Sequence, residues 1–312
     1  WPSLFTLTKV DTELTHINIL ILNANHMQEN NQLYKIGHSP DPDDAFMFYA
    51  LTKGGMKTGN RSYEHILLDI ETLNKHAING EYEVSAVSIH SFPHISDKYH
   101  LMNCGASMGE GYGPMLISKD ILSIETAKNK VIAIPGLGTS AYLALRLAWG
   151  DVEVKVVPFD EILPRVKSGE FDVGLIIHEG QLTWKDEGVN LVLDLGIWWN
   201  DKTGLPLPLG GNVVRKDLGD EICEKITEDV KNSIIWSIEN PESSLEFAKK
   251  WGRGIDDKTN KDFVEMYVNK RTIDYEEEGR EAIREFLRQG KEIGLVRYDL
   301  DIEKIEFIGS GE

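Results

Sequence analysis

Residues 130–149 read KVIAIPGLGTSAYLALRLAW, and the fold class follows from how this stretch is built. VIAI is a short apolar run between Lys130 and Pro135, the signature of a strand buried on both faces. The chain then turns through Gly136 and Gly138, and from Thr139 onward its apolar residues are spaced for one face of a helix. A strand that runs through a glycine turn straight into a helix is the repeating unit of an α/β sheet. The N–H groups near Thr139 and Ser140 converge at such a turn and, with the helix dipole, form an expected anion cradle. The plainer reading is that the glycines only shape the turn and that Thr139 only caps the helix. NAD is disfavoured, because Asp160 comes late for the acidic residue expected about 20 positions on and reads better as the N-cap of the helix opening in PFDE.

The same alternation extends in both directions. Downstream come strand VEVKVVP, helix FDEILPRVKSG, strand FDVGLIIH and strand VNLVLDLG. Upstream, YKIGH from Tyr34 is a strand, SPDPDD a turn, and AFMFYALTKG a helix capped by Asp41 or Asp43. EHILLDI, ETLNKHAING and EVSAVSI continue as strand, helix and strand, the helix ending at Gly80. The last third opens with the turn-rich LPLPLGGNVVRKD and becomes helical. The expectation is an α/β protein of two lobes, each with a mostly parallel sheet, and a substrate cleft between them at the strand C-termini. Lobe I is assigned 34–114 and 211–312, lobe II 115–210, and residues 1–33 are expected to be a poorly ordered N-terminal extension. GEGYG (109–113) and LGGN (209–212) fall at the two crossings, where glycines suit hinges or plain loops equally.

Composition narrows the function classes. A net charge of −18 over 312 residues opposes binding to nucleic acid or anionic membrane, since phosphate contacts need an excess of Lys and Arg. It leaves a small anionic substrate open, because backbone N–H groups can make a cleft locally positive. The two cysteines, Cys104 and Cys223, have neither metal-ligand spacing nor a disulfide framework, which fits a reducing cytoplasm. No signal peptide is readable, and no segment approaches the roughly 18–20 apolar residues that span a bilayer.

His178 follows the apolar strand FDVGLII, so it is expected at a strand tip in the cleft, where an imidazole suits general-base work. His38, Ser39 and Asp43 follow the first strand and are expected at the cleft rim, as ligand contacts or only as capping groups. His90 and His94 share helical i, i+4 spacing, but Ser91 stands where a zinc protease needs Glu, and Pro93 opposes a helix; no metal is expected. Asp41, Asp43 and Asp44 lack the Gly and Glu of a calcium loop. Trp198 and Trp199 read better as core than as the wall of an aromatic pocket.

The strings HSPDPDDAFMFYAL, SIHSFPHISDKYHLMNCGASMGEGYGP, PGLGTSAYLALRL, IIHEGQLTW and WWNDKTGLPLPLGGN, in this order, resemble the 1,4-dihydroxy-6-naphthoate synthase family of menaquinone biosynthesis. The resemblance implies a type II periplasmic-binding-protein-like fold. It also implies a cofactor-free lyase that converts cyclic dehypoxanthine futalosine, a small anionic aromatic substrate, into 1,4-dihydroxy-6-naphthoate and dihydroxyacetone. It gives His178 as proton acceptor and Val87, Ser88, Thr139 and Ser140 as substrate-binding positions. Gly138, His90, Asn212, Ser39 and Asp43 lie in the same motifs and are added as expected substrate contacts. Two other readings stay open on this scaffold: a solute-binding protein for a small anion, and a chorismate dehydratase.

Overall fold

Short apolar runs and the amphipathic segments between them sort into two sheets, described by a computed structural model for residues 31–53, 55–178, 180–251 and 256–310. The extension expected over 1–33 therefore lies largely outside the described residues, and Gln32 already belongs to the first strand. The strands are β1 (Gln32–His38), β2 (Arg61–Leu67), β3 (Val84–Ser88), β4 (Tyr99–Met102), β5 (Ser107–Gly109), β6 (Met115–Ser118), β7 (Ile132–Ile134), β8 (Val154–Val156), β9 (Val173–Ile176), β10 (Asn190–Asp194), β11 (Leu207–Arg215) and β12 (Phe307–Ile308). The helices that matter for the site are α1 (Pro42–Met47), α2 (Ile70–Asn79), α3 (Ser140–Trp149), α4 (Phe159–Ser168), α5 (Gly180–Thr183), α6 (Leu195–Thr203), α7 (Asp220–Glu239), α8 (Asp257–Tyr267) and α9 (Glu276–Glu292).

One sheet has the order β12-β4-β11-β3-β1-β2 with β5 on β11, and the other β10-β6-β9-β7-β8. Both sheets are mixed rather than mostly parallel. β1, β2 and β3 pair in parallel, as do β7, β8 and β9, but β11 runs against β3, β4 and β5, and β6 against β9 and β10. The crossings explain this. β6 begins beside the cleft, just after Pro114, and β11 borders it early in its course, at Leu209 and Gly210, whereas β3 and β9 end there, so each entering strand has to run the opposite way.

The return crossing lies earlier than expected. Leu207–Arg215 is one continuous strand of the first sheet, so residues 207–210, assigned to lobe II, pair with β5. LGGN is therefore strand rather than hinge loop. The register shifts between Pro208 and Gly210, which accommodates a residue with no N–H to donate to the ladder.

Local signals set several ends. Asp69 caps α2 by accepting the Thr72 N–H at 3.0 Å, and the helix stops at Gly80. Thr139 caps α3, its Oγ1 accepting the Tyr142 N–H at 3.2 Å. α4 starts after Pro158, so Asp160 sits in its first turn instead of capping it. The largest hydrophobic cluster belongs to both halves, joining Val87 and Leu101 of the first sheet to Ile132 and Leu143 of the second half. α9 runs along this seam, with Phe286 edge-on to Trp199 at 5.4 Å. Trp199 is fully buried there, its Nε1 donating to Pro206 O, and the half-buried Trp198 packs against the same cluster, so the pair covers core and neither ring lines the cleft.

Candidate active site

A cleft of about 740 Å³, including its open mouth, lies between the two sheets. His178 reaches it from the second half, two residues past the end of β9, with a left-handed backbone (φ 59°) that is strained for a residue with a Cβ. Its Nδ1 lies 2.9 Å from Oδ2 of Asp41, a carboxylate of the first half that is 3% exposed. The ring also meets Phe159 edge-on at 4.6 Å. A carboxylate at Nδ1 favours the tautomer protonated there and makes Nε2 the basic nitrogen. Asp41 occupies the N-cap position of α1, but its side chain makes no cap hydrogen bond and turns to the imidazole instead.

Asp43 and Asp44 crowd the same wall. Burial, then the charge of Asp41, pushes the Asp43 carboxyl up to about 6, with His178 pulling the other way. Asp44 is raised well above the carboxylate range by burial and next by Asp43, although it accepts the Ser39 N–H at 2.8 Å. Three carboxyls within one turn cannot all ionise cheaply, so Asp43 and Asp44 hold their protons more tightly than free carboxyls do. Ser39 lines the cleft beside them, its Oγ accepting the Asp41 N–H, and Ser107 Oγ donates to Asp43 at 3.4 Å. His38 is withdrawn: it stacks on Phe48 at 4.6 Å, its Nε2 is 3.0 Å from Nδ1 of His65, and burial holds its pKa down at about 3.

Opposite stands the N-terminus of α3. Thr139, Ser140 and Ala141 line the cleft there, and the N–H groups of the first turn precede the helical ladder, the position at which anions bind. The glycine turn ahead of it is not an open cradle. Glu71 of α2 accepts the Gly138 N–H at 3.1 Å, and a Cβ on Gly136 would fall 2.4 Å from the same carboxylate. Ser91 Oγ donates to the Gly138 carbonyl at 2.8 Å, so Gly138 is a clamped link between the halves and not a cleft-lining residue. The Ser140 hydroxyl is likewise engaged, donating to Leu209 O at 2.6 Å and accepting the His90 N–H at 3.2 Å.

His90 is a correction. It lies outside the cleft lining, with Nδ1 and Nε2 each 3.2 Å from a carbonyl oxygen, those of Thr139 and Leu295, so it braces α3 from behind. Val87 borders the cleft while its side chain packs in the core. Ser88 lines the cleft and is fixed by Asn74, which accepts its N–H at 2.8 Å and donates to its Oγ at 3.0 Å. Asn212 lies on the same floor.

Sequence reasoning missed Glu71, Asn74, Gln181 and Tyr267 as site-building residues, and read Asp41 only as a cap. Gln181 and Tyr267 both line the cleft, from opposite halves, and the Tyr267 hydroxyl donates to Gln181 Oε1 at 2.7 Å. Gln181 was accessible from its place three residues after His178; the others announce themselves only through partners distant in sequence.

The profile of the menaquinone biosynthesis family matches residues 34–292. A 1,4-dihydroxy-6-naphthoate synthase of Thermus thermophilus is 36% identical over 262 residues, 84% of this chain and 95% of that protein. A solved structure of a protein from Archaeoglobus fulgidus is 43% identical, with a TM-score of 0.82, covering 86% of this chain and all of the other. A Candida albicans protein described as having the generic periplasmic binding protein fold aligns over 87% of this chain and 93% of its own, with a TM-score of 0.62 at 12% identity, a likeness of fold alone. With a family match spanning most of its length and this architecture, the chain belongs to the 1,4-dihydroxy-6-naphthoate synthase family of menaquinone biosynthesis.

Proposed function

We propose that this protein is a carbon–carbon lyase that converts cyclic dehypoxanthine futalosine into 1,4-dihydroxy-6-naphthoate and dihydroxyacetone. The observation that carries the reading is the His178–Asp41 pair at the cleft, facing the first turn of α3. His178 Nε2 takes the proton of a substrate hydroxyl. The oxygen's electron pair forms the ketone of dihydroxyacetone, the adjacent C–C bond breaks, and its pair moves into the ring as an enolate. A proton returned to that oxygen gives the aromatic diol, and Asp43, whose carboxyl is raised to about 6, is suited to return it. The bond changes are those of a retro-aldol step, so the electron count closes without an oxidant or reductant.

The substrate carboxylate sits against the N–H groups at Ser140 and Ala141, where the helix dipole favours negative charge. Ser39, Ser88 and Thr139 complete the polar lining, and the two sheets with their helices act as lobes that exclude water on closing. We place the enzyme in the cytoplasm. Its two cysteines are free and buried, in keeping with a reducing compartment, and no helix among the described residues is long and apolar enough to cross a membrane.

His178→Ala is expected to lower kcat for cyclic dehypoxanthine futalosine by about 10²–10⁴-fold, the contribution of a positioned general base. Near-normal turnover by a folded variant refutes the assignment. Product analysis with chorismate as the alternative substrate separates this activity from a dehydratase on the same scaffold.

A further inference from the structure

The floor of the cleft is a strip of two antiparallel strands, β3 and β11. Asn212 lies opposite Ala86 and Gly210 opposite Ser88, and paired residues of neighbouring strands share a face, so Asn212, Ala86 and Ser88 form one surface. All of them line the cleft. Ser88 is already engaged by Asn74, as described above.

Asn212 is 1% exposed, and its Nδ2 donates to Gly105 O at 3.1 Å. A carbonyl only accepts, so this bond fixes which end of the amide is which. Its other end, Oδ1, is buried and meets no donor among the described residues. The seat is specific: Gly105 has φ 77°, and a Cβ there would lie 2.1 Å from Asn212 Nδ2. An acceptor held in place yet left without a donor is destabilising for the protein alone. Its presence on the floor of the cleft points to a donor that arrives with the ligand.

The rest of the cleft says which part of the ligand this is. Asp41 and Asp43 stand in the same half as Asn212 and offer acceptors, while the first turn of α3 opposite offers N–H donors. An anionic group belongs on the donor side, and a group rich in O–H belongs on the acceptor side.

We infer that Asn212 Oδ1 accepts a hydrogen bond from a hydroxyl of the three-carbon part of the substrate, so that the substrate lies with that part on the β3–β11 floor and its carboxylate at α3. The inference rests on the lyase reading and adds the orientation of the substrate and a specificity-determining residue. Asn212→Ala is expected to raise KM for cyclic dehypoxanthine futalosine about ten-fold, the scale of one lost hydrogen bond, and to leave inhibition by 2-naphthoate, a carboxylate without hydroxyls, within about two-fold. In the unaltered protein, a substrate analogue lacking the hydroxyls of the three-carbon part is expected to bind about ten-fold more weakly, a measurement that needs no variant to fold. The variant should bind that analogue no worse than the unaltered protein does, because the two losses remove one contact. An unchanged KM, equal weakening toward 2-naphthoate, or undiminished binding of the analogue overturns this inference alone. An unaltered protein that does not turn over the substrate overturns the lyase reading and this inference with it.

Discussion

At the scale of single residues, the site is organised by where protons can rest. The Asp43 carboxyl is raised from 3.8 to about 6, chiefly by burial, so the folded chain holds this proton more tightly than the unfolded chain. Folding therefore takes up a proton between these two values. The cost of burying the carboxyl is absent below the ordinary carboxylate range, grows as pH rises toward 6, and is constant above it. Asn mimics the protonated form, so Asp43→Asn is expected to stabilise the protein at about pH 7.5 by on the order of 3 kcal/mol, and far less at about pH 4.5. Urea midpoints at the two pH values measure this, and equal shifts at both would remove the explanation. The same substitution is expected to lower kcat, the usual conflict between a charged site and the stability of its fold. Asp41 shows why such a site is only half legible in sequence. Its place before a helix satisfies a local rule, whereas its pairing with His178, which comes from the other half of the molecule, has no local signal.

At the scale of elements, the N-terminus of α3 does two jobs with one residue. Thr139 Oγ1 donates to Gly136 O at 2.8 Å and accepts the Tyr142 N–H, so it closes the turn and starts the helix whose first N–H groups face the cleft. Thr139→Ala is expected to cost about 1–2 kcal/mol and to raise the substrate KM, while Thr139→Ser retains most of both. Thermal unfolding and KM of the two variants check this; a Ser variant as impaired as the Ala variant would assign the effect to lost packing of the Thr methyl. The strand, turn and helix here are readable from sequence because each obeys a short-range pattern. Strand direction is not, since an apolar run such as MLIS in β6 looks the same whether its neighbours are parallel or antiparallel. β11 was hidden for another reason: LPLGGNVVR is poor in strand formers at its start, and pairing with β3, β4 and β5 overrides that preference. Nor does the glycine turn reveal in sequence that Glu71 fills it, because the carboxylate arrives from the other half of the molecule.

For the whole molecule, the two halves share a core on one side of the cleft and meet through polar pairs within it. The shared cluster and α9 bind the halves by apolar burial, which is hard to undo in part. His178 with Asp41 and Gln181 with Tyr267 are different, since each is a polar contact that water can replace when the halves separate. Substrate entry is therefore expected to break such pairs and closure to remake them around the ligand. Tyr267→Phe tests this without touching the base. It keeps the buried ring and removes one bond between the halves, at about 0.5–1.5 kcal/mol, so the closed arrangement loses population and KM is expected to rise about 2- to 10-fold. kcat should stay within about two-fold, because His178, Asp41 and Asp43 remain in place once the substrate is bound. Small-angle scattering of the unliganded variant should show a larger radius of gyration than the unaltered protein, and the difference should vanish at saturating 2-naphthoate. A variant whose kcat falls with KM unchanged would instead make the Tyr267 hydroxyl a participant in the chemical step.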